Sequence, residues 1–161
     1  SGWNMDLILQ SVGLYDIVKI GIPDSILNKP AKLSYLETET MRNHVDIGVD
    51  VITKIMNETE ENEFLHHALA IAGSHHERWD GKGYPKGLSG EEIPLEARLM
   101  AIVVTYDELI SWQPYKKTYT HEEAAKVIEE GSGTRFEPGL VDVFFYMERE
   151  FREITQKYLL K

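Results

Sequence analysis

Apolar residues recur at intervals of three and four along most of this chain, and this helical periodicity limits the fold more than any other feature. Ser34 opens a Ser-x-x-Glu capping box with Glu37, and an apolar stripe follows it. A second box begins at Thr120, and Pro94 stands where the first turn of a helix accepts proline. The last predicted helix follows Pro138 and turns these residues inward: Val141, Phe144, Met147 or Glu148, Phe151, Ile154 and Tyr158. Since no segment shows the strict alternation of a half-buried strand, we predict an all-α, single-domain helical bundle.

The composition excludes several classes of protein. The chain has 161 residues, with 17 Lys and Arg against 27 Asp and Glu, and its net charge of −10 argues against a binder of DNA or of acidic membranes. It has no Cys, so disulfide scaffolds, thiol catalysis and Cys-based zinc sites are ruled out. No uncharged apolar run reaches the roughly 20 residues of a membrane helix, and no cleavable signal is present. We therefore expect a cytoplasmic domain.

We predict one domain over residues 1–161, in which Ser1 and Gly2 are a cloning remnant rather than a native start. The one long irregular stretch is residues 78–93, which holds four glycines and a proline. Long loops without regular structure are uncommon inside compact domains and often carry function, so this loop is a candidate site.

Three histidines near that loop are candidates for metal binding. His75 and His76 directly precede the loop, and His44 lies on the preceding apolar stripe. Neutral imidazoles suit zinc, iron or manganese when a carboxylate completes the ligand set. The alternative is that each histidine is a hydrogen-bonded core residue. A second pair, His66 and His67, is interpreted as a surface pair.

Asp16 is flanked by apolar residues, which is unusual for a charged side chain. It either ligates a metal or forms an ion pair with Lys19 three residues later. The sequence leaves both alternatives open.

Several segments resemble the HD-GYP family. The most specific is the loop His75-His76-Glu77-Arg78-Trp79-Asp80-Gly81-Lys82-Gly83-Tyr84-Pro85. The others are Lys19-Ile20-Gly21-Ile22-Pro23-Asp24, the Met-x-x-His-x-x-x-Gly helix over residues 41–48, Ile93-Pro94-Leu95-Glu96-Ala97-Arg98, Tyr106-Asp107-Glu108-Leu109 and Pro114-Tyr115-Lys116. Together they cover nearly the whole chain.

The resemblance implies a bacterial, helical metallo-phosphohydrolase of the HD superfamily that cleaves cyclic di-GMP to pGpG and then GMP. Lys19 and Lys116 would contact phosphate, and Tyr84 is placed to stack on a guanine. The metal ligands it implies in this chain are Asp16, His44, His75 and His76. The exposed loop of Asp80, Gly81, Lys82, Gly83, Tyr84 and Pro85 would dock onto GGDEF-domain proteins, and a homodimer is a further alternative.

The chain also departs from the family pattern. Tyr15 stands where the family has the His of its His-Asp pair, and phenol is a poor ligand. Val104 occupies the position of a late metal-binding Asp, and Gln113 replaces an Arg that would contact phosphate. The family's upstream helices are not in this chain, so we expect an N-terminally truncated bundle.

These departures lead to the main interpretation, an HD-GYP-type domain with an impaired metal site that regulates partners or senses cyclic di-GMP. Residual catalysis would rest on Lys19 and Asp16. The alternative is a working phosphodiesterase with a reduced metal centre. The cofactor is predicted to be one transition metal ion, iron, manganese or zinc, or none, in which case the polar groups form a hydrogen-bonded cluster.

Overall fold

The computed structural model describes Asp6, Gln10, Ser11 and residues 21–60, 62–111 and 117–159, with the side chains of residues 158 and 159 left aside. From residue 21 onward the described part forms eight α-helices: α1 (Asp24–Leu27), α2 (Tyr35–Arg42), α3 (His44–Glu58), α4 (Glu63–Ser74), α5 (Leu95–Ile110), α6 (His121–Glu130), α7 (Pro138–Tyr146) and α8 (Glu148–Leu159). A short 3-10 helix spans Gly90–Glu92. Within these ranges no strand forms, apart from two isolated bridges, so the all-α prediction is confirmed.

The helices begin where the local signals predict. The Ser34 hydroxyl accepts from the Glu37 amide at 3.3 Å, and the Glu37 carboxylate accepts from the Ser34 amide at 2.7 Å. Thr120 caps α6 in the same reciprocal way. Pro94 is the N-cap of α5. The Ser34 and Thr120 caps satisfy amides that the first turn would otherwise leave without a partner, whereas Pro94 makes no side-chain cap bond.

Two breaks in the helices were not predicted. The stripe that follows Ser34 is divided at Asn43, so His44 becomes the first residue of α3. The last helix is divided at Met147, which turns the following helix about its own axis. Ile154 is therefore 54% exposed and Thr155 is buried in its place, so the inward prediction for Ile154 was wrong.

Two clusters of buried residues make up much of the core. The larger part joins α5, α6 and α7 around Ala101, Ile102, Tyr106, Ala124, Ala125, Ile128, Phe136, Val141 and Phe144. The smaller part joins α3 and α4 around Ile52, Leu65, Ala68 and Ala72. α5 packs against both α4 and α6, as its apolar surface predicts. None of the described helices is both long and apolar enough to cross a bilayer.

Candidate metal centre

The structure brings the three predicted histidines together. His44 opens α3, His75 caps the C-terminal end of α4, and His76 follows it. One ligating nitrogen from each lies within 4.8 Å of the other two. His44 and His75 are buried and His76 is half-buried, so the cluster faces the protein on one side and a cleft on the other.

Backbone carbonyls orient two of the imidazoles. His44 Nδ1 lies 2.5 Å from the Met41 carbonyl oxygen. His75 Nδ1 lies 2.9 Å from the carbonyl oxygen of Ile71 and 3.2 Å from that of Ala72. A carbonyl can only accept, so Nδ1 carries the proton in both rings and Nε2 carries the lone pair. This second-shell arrangement is typical of metal-binding histidines.

The spacing of the nitrogens also suits a metal ion. His44 Nε2 and His76 Nε2 lie 3.1 Å apart. Metal–imidazole bonds of about 2.0–2.1 Å place neighbouring ligand nitrogens roughly 2.9–3.4 Å apart in tetrahedral or octahedral geometry. The donor set therefore fits zinc, iron or manganese, and it leaves coordination positions for a carboxylate or water.

Tyr84 of the loop packs against the cluster. Its ring stacks on the His76 imidazole with centroids 4.7 Å apart and planes at 14°. The Arg42 guanidinium lies over the Tyr84 ring at 4.8 Å from its centroid. Burial raises the pKa of the Tyr84 phenol to about 12, so the hydroxyl stays a neutral donor near neutral pH. These contacts occupy ring surface of Tyr84 on which a guanine would have to stack. The contact between Tyr84 and a guanine therefore stays a prediction.

A buried carboxylate that the sequence analysis did not single out fixes the loop. Glu77 is 3% exposed, and its two oxygens accept from the amides of Lys86 at 2.7 Å and Leu88 at 3.0 Å. These bonds satisfy the charge of a group that would otherwise be costly to bury. The position of Glu77 in the sequence could have indicated this role. An acidic residue directly after a histidine pair and before a glycine-rich loop is expected either to bind a metal or to hold the loop by hydrogen bonds.

Asp80 organises the tip of the loop. Arg78 donates Nε to Oδ1 at 3.0 Å and Nη2 to Oδ2 at 2.8 Å, and the Lys82 amide donates to Oδ1 at 3.1 Å. The Arg78 guanidinium lowers the pKa of the Asp80 carboxyl to about 2. Gly81 has a φ of 74°, which a residue with a side chain adopts only at a cost.

Gly83 lets the loop close on the histidines. A Cβ atom at this position would lie 2.5 Å from the Glu77 Cα and 2.6 Å from the His76 carbonyl oxygen. That same carbonyl accepts from the Tyr84 amide at 3.2 Å. The glycine is needed here because the backbone of the loop passes directly over the backbone of the site.

The cleft beside the histidines is lined by more cationic than acidic side chains, although the chain carries a net charge of −10. The space within it, part of which is open solvent, is about 570 Å³. Four cationic side chains line it: Arg42, Arg78, Lys82 and Arg135. Among the described lining residues Glu77 is the one carboxylate, and it is engaged by backbone amides. Such a cleft attracts a phosphorylated ligand.

Several predicted residues lie outside the described part of the chain. They are Tyr15, Asp16, Lys19, Gln113 and Lys116. Val104 is half-buried on α5, and its isopropyl group offers no ligand atom.

The interpretation of His66 and His67 as a surface pair is correct for His66 only. His66 is exposed, whereas His67 lies in the interface between α4 and α5 with its Nδ1 2.7 Å from a Glu96 carboxylate oxygen.

A family model described as HD domain matches residues 4–140. The chain belongs to the HD domain family. This match, together with the helical bundle, confirms the predicted HD-superfamily fold. The relatives described next confirm the resemblance to the HD-GYP branch.

Two curated relatives match most of this chain. A probable cyclic di-GMP phosphodiesterase of Vibrio cholerae is 44% identical over 96% of the chain and 35% of its own length. A cyclic di-GMP phosphodiesterase of Thermotoga maritima is 39% identical over 89% of the chain and 38% of its own length. The chain thus spans about a third of the length of the curated relatives it matches.

A solved structure shares the fold. The crystal structure of a cyclic GMP-AMP-specific phosphodiesterase of Vibrio cholerae superposes with a TM-score of 0.60 over 94% of this chain and 42% of that chain. The two sequences are 21% identical, so this similarity concerns the fold alone.

Proposed function

We propose that this domain is a metal-dependent phosphodiesterase that hydrolyses cyclic di-GMP to pGpG and GMP with a reduced metal centre. The observation that carries the proposal is the convergence of His44, His75 and His76, with the Nδ1 atoms of two of them bonded to backbone carbonyls. The relatives support it, since they are named cyclic di-GMP phosphodiesterases. We therefore favour the alternative from the sequence, a working phosphodiesterase, over the main interpretation of an impaired regulatory domain.

The residues of the chain have distinct roles in this proposal. His44, His75 and His76 would hold one transition metal ion, with Asp16 as the fourth ligand that the family resemblance implies. When bound, such an ion lowers the pKa of a coordinated water and neutralises phosphate charge. The cationic cleft would draw the dinucleotide toward the histidines. Lys19 and Lys116 stay proposed phosphate contacts.

The direct test is hydrolysis of cyclic di-GMP by the purified chain supplied with Mn²⁺ or Fe²⁺, followed by chromatography of pGpG and GMP. We expect product from the wild type, and at least about a hundredfold less from His75→Ala. His66→Ala on the same helix is the matched control, because His66 is exposed, and it should retain the wild-type rate. A metal-loaded wild-type chain that forms no product would contradict the proposal.

A second function is favoured by two particular residues. Tyr15 and Val104 stand where the family pattern has two further metal ligands, so a chain that binds cyclic di-GMP without cleaving it is the competing candidate. Lys82 and Pro85 are exposed on the loop, which could then dock onto a GGDEF-domain partner. Saturable binding of cyclic di-GMP with no hydrolysis would support this second function over the first.

A further inference from the structure

Arg135 differs from the other arginines near the cleft. Arg78 is paired with Asp80 at 2.8 Å, Arg42 with Glu39 at 3.0 Å, and Arg98 with Glu137 at 2.6 Å. Within the described part of the chain, the Arg135 guanidinium forms no hydrogen bond or ion pair, and the residue is exposed to solvent.

The charges around Arg135 bear on whether it can bind an anion. Burial lowers the pKa of the Arg135 guanidinium, and the Arg78 charge nearby lowers it further, while Glu108 has the opposite effect. Arginine stays protonated in proteins, so the charge persists. Glu108 acts on this charge without forming an ion pair with it, so the guanidinium keeps its donors available for an anion that enters the cleft.

The backbone holds Arg135 firmly next to the loop of the site. The Arg135 amide donates to the Gly131 carbonyl at 2.9 Å, and the Arg135 carbonyl accepts from the Trp79 amide at 3.3 Å. The Thr134 carbonyl accepts from the Asp80 amide at 2.8 Å. The guanidinium carbon lies 5.3 Å from the centre of the Phe136 ring. The turn after α6 thus fixes this arginine on the same cleft that His75, His76 and Tyr84 line.

We propose that Arg135 binds a phosphate oxygen of the ligand in the cleft beside the three histidines, as the principal anion-binding side chain of that cleft. The planar guanidinium can donate two parallel hydrogen bonds to one phosphate, which a lysine cannot do. The ligand class is a phosphodiester of a dinucleotide, and this identity rests on the proposed function. The anion site itself rests on the placement of Arg135.

The test compares Arg135→Gln and Arg135→Lys with the wild type by titration calorimetry at low ionic strength, after removal of metal by a chelator. The probes are inorganic pyrophosphate and cyclic di-GMP. Arg149→Gln is the matched control, because Arg149 is exposed on α8 and pairs with Glu153. Removing a charge-assisted pair should weaken both probes about 10- to 100-fold in Arg135→Gln. Arg135→Lys should weaken them less, and Arg149→Gln should bind as the wild type does.

The outcomes separate the two proposals. Pyrophosphate that binds Arg135→Gln as tightly as the wild type, or that does not bind the wild type, overturns the role of Arg135. Pyrophosphate binding that depends on Arg135, without any binding of cyclic di-GMP by the wild type even after Mn²⁺ is restored, overturns the proposed function and supports the anion site. If circular dichroism shows that Arg135→Gln does not fold, the comparison uses Arg135→Lys instead. An Arg135→Lys variant that binds both probes as tightly as the wild type would overturn the role of Arg135.

Discussion

Buried histidines occur in two regions of this molecule, and their surroundings differ. His44, His75 and His121 are 3%, 5% and 5% exposed, so burial does not separate them. Both nitrogens of His121 contact side chains, Nδ1 the Tyr106 hydroxyl at 2.8 Å and Nε2 a Glu148 oxygen at 3.2 Å. In the metal-site cluster, Nδ1 contacts backbone carbonyls and the Nε2 atom of His44 faces that of His76.

The comparison indicates that the partner of each ring nitrogen, rather than burial, separates a candidate metal ligand from a structural residue. His121 joins α6 to α5 and α8 through Tyr106 and Glu148. The cluster of His44, His75 and His76 instead directs nitrogens toward one point. The two regions therefore make opposite predictions for metal binding and for folding stability.

The largest expected effect is on stabilisation by metal. Excess Mn²⁺ should raise the melting temperature of the wild type, since a ligand at about 1,000 times its Kd adds about 4.1 kcal/mol to the stability of the folded state. His44→Ala should lose this shift because it loses a ligand. His121→Ala should melt lower than the wild type and keep the shift. If Mn²⁺ raises the melting temperature of His44→Ala as much as that of the wild type, the two regions do not differ in metal binding.

The next effect concerns the loop that covers the cluster. Gly83→Ala should cost about 3 kcal/mol or more in urea unfolding, because its Cβ would overlap the Glu77 and His76 backbone. Gly90→Ala is the matched control in the same loop. Its φ is 53° and no atom lies within 4 Å of the added Cβ, so it should cost about 1–2 kcal/mol. If the two variants lose similar amounts of unfolding free energy, the close approach of the Glu77 and His76 backbone is not the reason that position 83 requires glycine.

The structural histidine should affect stability alone. His121→Ala leaves the buried Tyr106 hydroxyl without one of its partners and should cost about 2 kcal/mol in urea unfolding. Tyr106→Phe removes only the hydroxyl and should cost about 1 kcal/mol. Loss of bound metal in either variant, with the fold intact, would mean that the two regions are not independent.

The smallest effect is at the surface and depends on pH. Lys29 and the Ser34 amide lower the pKa of the Glu37 carboxyl from 4.5 to about 2. The wild type should therefore be more stable than Glu37→Gln above pH 4.5, and the difference should vanish as the pH falls toward about 2. Thermal melts of both proteins between pH 7 and pH 2 check this. A difference that grows as the pH falls would contradict the assignment.

Much of the fold could be predicted because helix starts are local signals. Ser34 and Thr120 bond amides within one turn, and the Pro94 ring fixes the backbone φ at the start of α5. The breaks at Asn43 and Met147 depend on packing between helices, which one sequence does not reveal. Gly131 is the C-cap of α6, and its φ of −81° is not left-handed. The Phe136 ring lies 2.6 Å from where its Cβ would be, so close approach requires the glycine.

The site could be predicted only in part. His44, His75 and His76 were found because the latter two are adjacent and the loop motif is specific. Arg135 is far along the chain and reaches the cleft through a turn that no local pattern marks. Asp16 and Lys19 lie outside the described residues, and their roles stay predictions.

The most direct measurement is elemental analysis of the wild-type chain purified without chelator. The account predicts about one equivalent of iron, manganese or zinc per chain, and less than a tenth of that in His75→Ala. A chain that contains no transition metal, and takes up none when it is dialysed against Mn²⁺ or Fe²⁺, would contradict the assignment of the three histidines as a metal centre.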